Sequence, residues 1–325
     1  MAMIFELSVS ELFTAAPNAL DAGINAVARQ FPPGTFFSYG FNVRALLALL
    51  LVSLTCGAVG SLVVGGRMAF FSDALAHCSF AGVSVGFLFF NAFLAGARPP
   101  DEFWHWVTPV MVAFGVLVGA CIVAVRYRTD LTSDTVIGVF FAAAIGLAAM
   151  LRKFIQSRQV FNLEDFLFGD PLLVEAGDLI VLAGLAALTA GLLALIYNPL
   201  LLASFNSSLA LSRRVPSRAC NYAFVMLLAV IVNLCLRSVG ALLINALLIV
   251  PAATAANLSR NMRQFFWLTV ALCVGACLAG HWLSWEVGGK IHVELGISGT
   301  IVLLSVGLFV LSGLAQPLLA RRSGG

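Results

Sequence analysis

The sequence predicts an all-α, polytopic transmembrane helical bundle of about 8–9 membrane helices, and three observations predict it. Of the 325 residues, 61% are hydrophobic and 10% charged, against about half and about a quarter in soluble domains. Nine stretches are free enough of charge and long enough to cross a bilayer at roughly 20 apolar residues per crossing. The 18 Lys and Arg residues sit at the edges of those stretches and form no stripe, and the net charge is only +3. A lipid bilayer is therefore the expected partner, and nucleic acid is not.

The first 42 residues form a segment of their own. Its opening, MAMIFELSVSELF, lacks the basic start and apolar core of a secretory signal, which leaves membrane insertion to the first span. Leu20, Ile24, Val27, Ala28 and Phe31 then recur at helical spacing before Pro32-Pro33, the pattern of a short amphipathic helix lying at the interface. A loosely ordered tail fits the same residues.

A transmembrane domain follows over 43–320, with a short tail at 321–325. Its first span, roughly 43–66, ends at Arg67; the second, 69–96, contains the run FFSDALAHCSF. The third, 107–125, follows the tryptophans Trp104 and Trp106, which suit an interfacial belt, and stops at Arg126 and Arg128. His105 between those tryptophans reads as part of the same anchor. The fourth and fifth, 135–151 and 179–198, flank a long connector, LRKFIQSRQVFNLEDFLFGDPLLVEAGD. The sixth and seventh, 219–236 and 239–258, follow a second long connector, PLLLASFNSSLALSRRVPSR, amphipathic enough for a helix along the membrane surface. The eighth, 265–285, carries Cys273 and Cys277 on one face, and the ninth, 297–318, ends before Arg321 and Arg322.

If nine spans alternate, Arg67, Arg126, Arg128, Arg213, Arg214, Arg218, Arg260, Arg263, Arg321 and Arg322 share one side. Because Lys and Arg are retained inside, that side is the cytoplasm and holds the C-terminus. Arg152, Lys153 and Arg158 fall on the other side, against the rule. Seven cysteines, five of them inside apolar runs, imply small buried hydrophobes and no disulfide framework.

An ionisable group inside a span is expensive and by default faces a cavity. Asp73 and His77 stand four residues apart, so they share one helical face. A carboxylate and an imidazole form half a site for zinc, manganese or ferrous iron; the same pair also suits a hydrogen bond that fixes helix packing. Ala81 and Ser84 continue that face with small side chains. In the seventh span, Pro251 with its surrounding Ala, Gly, Thr and Asn residues marks a kinked, centrally packed helix, which places Asn245 as a candidate for the conduction path. At the outer end, His281, Glu286, His292 and Glu294 are candidates for passing a cation towards the pore or meeting a partner, although a solvated hairpin with ordinary charges is the simpler account of them.

Absent motifs narrow the function. No phosphate loop ending in GKS or GKT is present, as the only lysines are Lys153 and Lys290, so this chain alone is not an ATPase. HExxH and GxSxG are missing too. An intramembrane enzyme built on Asp73 with Asp134 or Asp170 would need a dyad from groups at different expected depths.

From about Asn42 to the C-terminus the chain resembles the membrane permeases of bacterial zinc, manganese and iron ABC importers. The likeness is carried by SDALAH with Gly82 behind it, SDTVIGVFF from Ser133, FLFGDPLL from Phe166, LRSVGALLINALLIVPAATA from Leu236 and GISGTIVLL from Gly296. It implies an ABC importer permease bundle that pairs with a second permease copy, as a homo- or heterodimer, in the bacterial plasma (inner) membrane. A cytoplasmic ABC ATPase and an extracellular or periplasmic metal-binding protein would serve it. It further implies that Asp73 and His77 contact the transported zinc, manganese or iron ion, with no permanently bound cofactor. The coupling loop to the ATPase maps onto Ser204, Phe205, Asn206, Leu209, Ala210, Arg213 and Arg214. That loop departs from the family, having Asn206-Ser207-Ser208 in place of an Asp-Pro-Glu run. A gradient-driven secondary transporter or channel, in which Asp73 and His77 relay protons, is the rival reading.

Overall fold

The computed structural model describes residues 2–93, 103–129, 131–156, 168–205, 213, 216–291 and 295–322; side chains are described for 15–86, 88–89, 108–129, 131–151, 168–202, 213, 216–291 and 295–315. Ten α-helices are present among them: α1 Ala2–Ala28, α2 Gly40–Gly65, α3 Ala69–Phe93, α4 Phe103–Arg128, α5 Ser133–Gln156, α6 Ala176–Phe205, α7 Ser217–Val239, α8 Ala241–Leu258, α9 Met262–Ile291 and α10 Ile297–Arg322. Each of the nine expected spans is a helix. Among the described residues eight helices are long and apolar enough to cross a membrane.

Several boundaries differ from the sequence reading. α1 is no short helix: it runs from Ala2 through Pro17 to Ala28, and Ile24 and Ala28 are buried whereas Val27 and Phe31 are exposed. Asp21 meets Arg44 of α2 at 3.2 Å, which ties α1 to the bundle. α6 continues through Pro199 to Phe205, past the expected end. Of the connector expected to hold a surface helix, residues 199–205 continue α6 instead, and 206–212 and 214–215 lie outside the described residues.

Burial sorts the helices into a centre and a periphery. About two-thirds of the span is buried in α2 and in α7, but only 22% in α5 and 28% in α10. α2 packs against α9, α8 and α6; α3 packs against α5 and α4; α4 lies against α7, and α8 against α10. Lipid supplies no hydrophobic drive between helices, so close approach at small residues has to hold them. A β-carbon at Gly60 would lie 2.7 Å from the Leu248 carbonyl oxygen, and one at Gly57 would lie 2.9 Å from the Val270 backbone. Gly280 meets Ile301 in the same manner.

α7 and α8 are joined by one residue, Gly240, whose φ of +82° and ψ of 161° are open essentially to glycine alone. The backbone of Gly169, itself at φ +57°, lies so close that a β-carbon on Gly240 would fall 2.6 Å from it. At 1.5 Å rise per residue, the Gly60–Leu248 contact sets the start of α8 about 20 Å from the end of the bundle that holds Arg67. α8 therefore begins inside the bundle, and Asn245 comes level with the first turns of α3.

Candidate functional site

The polar face of α3 is the first element of the site. Asp73 and His77 project from it one turn apart, with Nε2 of His77 3.9 Å from Oδ1 of Asp73 and with 33% and 41% of the His77 and Asp73 side chains exposed. Their neighbours Ala74, Leu75, Ala76 and Cys78 are buried, so helical geometry turns this pair outward while the rest of the turn packs. Phe141 of α5 stands edge-on to the His77 ring at 5.0 Å between centroids.

The second element is Asn245 of α8, whose Nδ2 donates to Oδ1 of Asp73 at 2.8 Å. Its own Oδ1 is buried and has no hydrogen-bond partner among the described residues. One turn from Asp73 on α3, Phe70 is 67% exposed, and one turn from Asn245 on α8, Leu242 is also exposed. A carboxylate, an imidazole and an amide on the outside of a spanning bundle cannot rest against hydrocarbon without a large penalty, so this face must meet water or protein. Among the described residues no group of three His, Cys, Asp or Glu side chains comes together. Asp73 and His77 are thus two adjacent side chains of metal-ligating type, tied to Asn245 by one hydrogen bond.

The opposite face of α3 locks the helix in place. Ser79 Oγ donates to Oδ1 of Asn233 at 2.6 Å, both residues being fully buried, and the Asn233 amide donates to the Ala229 carbonyl. This buried bond joins α3 to α7 on the side of α3 away from Asp73 and His77.

At the other end of the bundle a cavity of about 900 Å³ opens between the start of α2, the segment Phe168–Leu172, the end of α9 and the start of α10. His281 lines it. It is 1% exposed, its Nε2 lies 3.4 Å from the Asn42 carbonyl and its ring packs on Phe36 at 4.8 Å, while Nδ1 has no partner among the described residues. Asp170 also lines the cavity and caps the short turn Pro171–Leu173 by accepting from the Leu172 N–H.

The sequence candidates therefore separate into two places. Asp73, His77 and Asn245 converge; His281 lies about 15 Å further along the bundle by helix rise. Glu286 is held at 2.8 Å by Lys290 on the same helix and is not among the residues lining the cavity. His292 and Glu294 lie outside the described residues. In the coupling segment the described residues show Ser204 and Phe205 as the end of α6 and Arg213 as exposed; Asn206, Leu209, Ala210 and Arg214 lie outside them. Sequence reasoning missed Phe141 and the glycine pair Gly169–Gly240. Both belong to the stretches SDTVIGVFF, FLFGDPLL and LRSVG, which carried the family likeness without disclosing that the last two touch.

Comparison with known proteins then gives one consistent answer. Residues 38–316 match the ABC 3 transport family. The chain is 29% identical over 288 residues to the manganese transport system membrane protein MntC of Halalkalibacterium halodurans, covering 87% of this chain and 91% of that one. It is 28% identical over 271 residues to the high-affinity zinc uptake system membrane protein ZnuB of Buchnera aphidicola, covering 83% and 96%. Among solved structures, PsaBC from Streptococcus pneumoniae in complex with Fab superposes with a TM-score of 0.66 at 26% identity, covering 84% of this chain and 91% of that chain.

Proposed function

The chain belongs to the ABC 3 transport family, and on that premise we propose that it is the integral membrane permease of an ATP-binding-cassette importer that moves a divalent transition metal, zinc, manganese or iron, into the cell. It is a non-catalytic transport subunit and a multi-pass membrane protein. The observation that carries the metal assignment is the partly exposed set of Asp73, His77 and Asn245, brought together from α3 and α8. The match to family members named for manganese and zinc transport supports the same substrate class.

In this reading Asp73 and His77 contact the ion. A neutral imidazole and a carboxylate accept zinc, manganese and iron alike, so availability decides occupancy. Two protein ligands leave a transition-metal ion under-coordinated, and a second permease copy set face to face would supply the remainder. The surface bearing Asp73 then becomes the wall of a path between two permeases. An extracellular or periplasmic binding protein would deliver the ion at the end where His281 and Asp170 line the cavity. A cytoplasmic ATPase would dock near Arg213 and drive alternation between outward and inward states. The C-terminus lies on that cytoplasmic side in the bacterial inner membrane. Family membership disfavours the gradient-driven rival.

The test is metal accumulation in cells carrying Asp73→Ala or His77→Ala. Both variants are expected to abolish uptake while membrane insertion stays normal; normal accumulation in both removes these residues from the path.

A further inference from the structure

We infer that Asn245 is a positioning residue of the transport site, one that aims the Asp73 carboxylate and does so from a different helix. The inference rests on the reading of Asp73 as a contact of the transported ion and adds a role that spacing along α3 cannot supply.

The bond itself is specific. The Asn245 amide donates to Oδ1 of Asp73 at 2.8 Å, and an N–H donated to a carboxylate is stronger than one between neutral groups. Oδ1 is also the oxygen nearest His77 Nε2, at 3.9 Å. One oxygen is therefore shared by the two neighbours, and Oδ2 is left outside the Asn245 bond. Terminal carboxylate torsions are broad, so without such a donor Asp73 would sample many directions. The amide orientation follows from charge: turned over, Asn245 would set its own oxygen against the carboxylate, with no proton between them.

The donor is rigidly mounted. Five residues before Asn245, Gly240 is wedged against Gly169; three residues after it, Leu248 meets Gly60 with no room for a β-carbon. α8 is pinned on both sides of Asn245, which is what a group that orients a ligand requires. As a plain interhelical tie the bond would be a poor choice, because Asp73 is 41% exposed and water could replace its donor. The buried Oδ1 of Asn245, without a partner among the described residues, is a further sign that this side chain is oriented by its duty to Asp73 and not by its own hydrogen-bonding needs.

The experiment uses the permease with its ATPase in proteoliposomes and reads uptake of manganese and of zinc against concentration. Asn245→Leu, nearly isosteric, is expected to raise the half-saturating concentration about tenfold or more, with the thermal unfolding midpoint unchanged. Should that variant fail to insert, Asn245→Ala carries the same expectation. Asp73→Glu keeps a carboxylate but displaces it from the amide, so Asp73→Glu combined with Asn245→Leu should be no worse than Asp73→Glu alone. Residues acting through one another give such non-additive losses. Additive losses, or unchanged half-saturation in Asn245→Leu and Asn245→Ala, overturn the positioning role and leave the permease reading intact. Normal uptake by Asp73→Ala removes the reading beneath it, whatever Asn245 does.

Discussion

Asp73 and Ser79 sit on the same helix six residues apart, yet their polar groups have opposite duties. Ser79 and Asn233 satisfy one another in a fully buried bond of 2.6 Å, so that pair spends its polarity on joining α3 to α7. Asp73 and His77 face outward and are partly exposed, where the proposed function has them meet the ion. Ser79→Ala is expected to destabilise the protein by about 0.6–2 kcal/mol, the range of interhelical hydrogen bonds in membranes. Its half-saturating metal concentration should stay unchanged, because the serine faces away from the site. Thermal unfolding and uptake measured on one preparation check both parts. His281 shows a third use: its Nε2 is taken by the Asn42 carbonyl and its ring by Phe36, so it shapes the outer cavity and stands apart from Asp73.

α8 is the element on which the site depends most, since its position decides where Asn245 lies. Two contacts fix it, and each has a clear substitution. Gly240→Ala would place a β-carbon 2.6 Å from the Gly169 backbone at a φ of +82°, where backbone strain alone is of order 1–3 kcal/mol. Gly60→Ala would press on the Leu248 carbonyl from α2. Both variants are expected to lower the unfolding midpoint by several degrees and to raise half-saturation for metal, because they move Asn245 relative to Asp73. A lowered midpoint with unaltered half-saturation would mean that α8 holds the fold together without setting the site. At the basic end, Arg218 covers the Tyr127 ring at 5.4 Å and Tyr127 stacks on Tyr222 at 5.8 Å. This pairing anchors the start of α7 beside the segment expected to meet the ATPase.

For the molecule in its membrane, the distribution of arginines predicts which end faces the cytoplasm. Lys290 is 72% exposed at one end, and Arg213 is exposed in the connector at the other. In intact cells a membrane-impermeant thiol reagent is expected to modify Lys290→Cys and to spare Arg213→Cys. Background labelling should be low because six of the seven native cysteines are buried. Labelling in the reverse pattern would invert the orientation. Energy supply is tested at the same scale: vesicles with an imposed ion gradient but no ATPase should accumulate no metal, and accumulation there would restore the gradient-driven rival.

Hydropathy and helical spacing, both local properties of the chain, were enough to place nine of the helices and to put Asp73 and His77 on one face. Motif order along the chain was enough for the family. The hydrogen bond between Asp73 and Asn245 joins residues 172 positions apart, and no local period encodes it. It exists because glycines at 60, 169 and 240 let three backbones approach within a side chain's width, which starts α8 deep in the bundle. The same packing set His281 in a separate cavity and left Glu286 to Lys290. Helices arise from what neighbours in sequence bury and bond, whereas the site arises from how closely distant helices can pack, and that distance is set only once the whole bundle has formed.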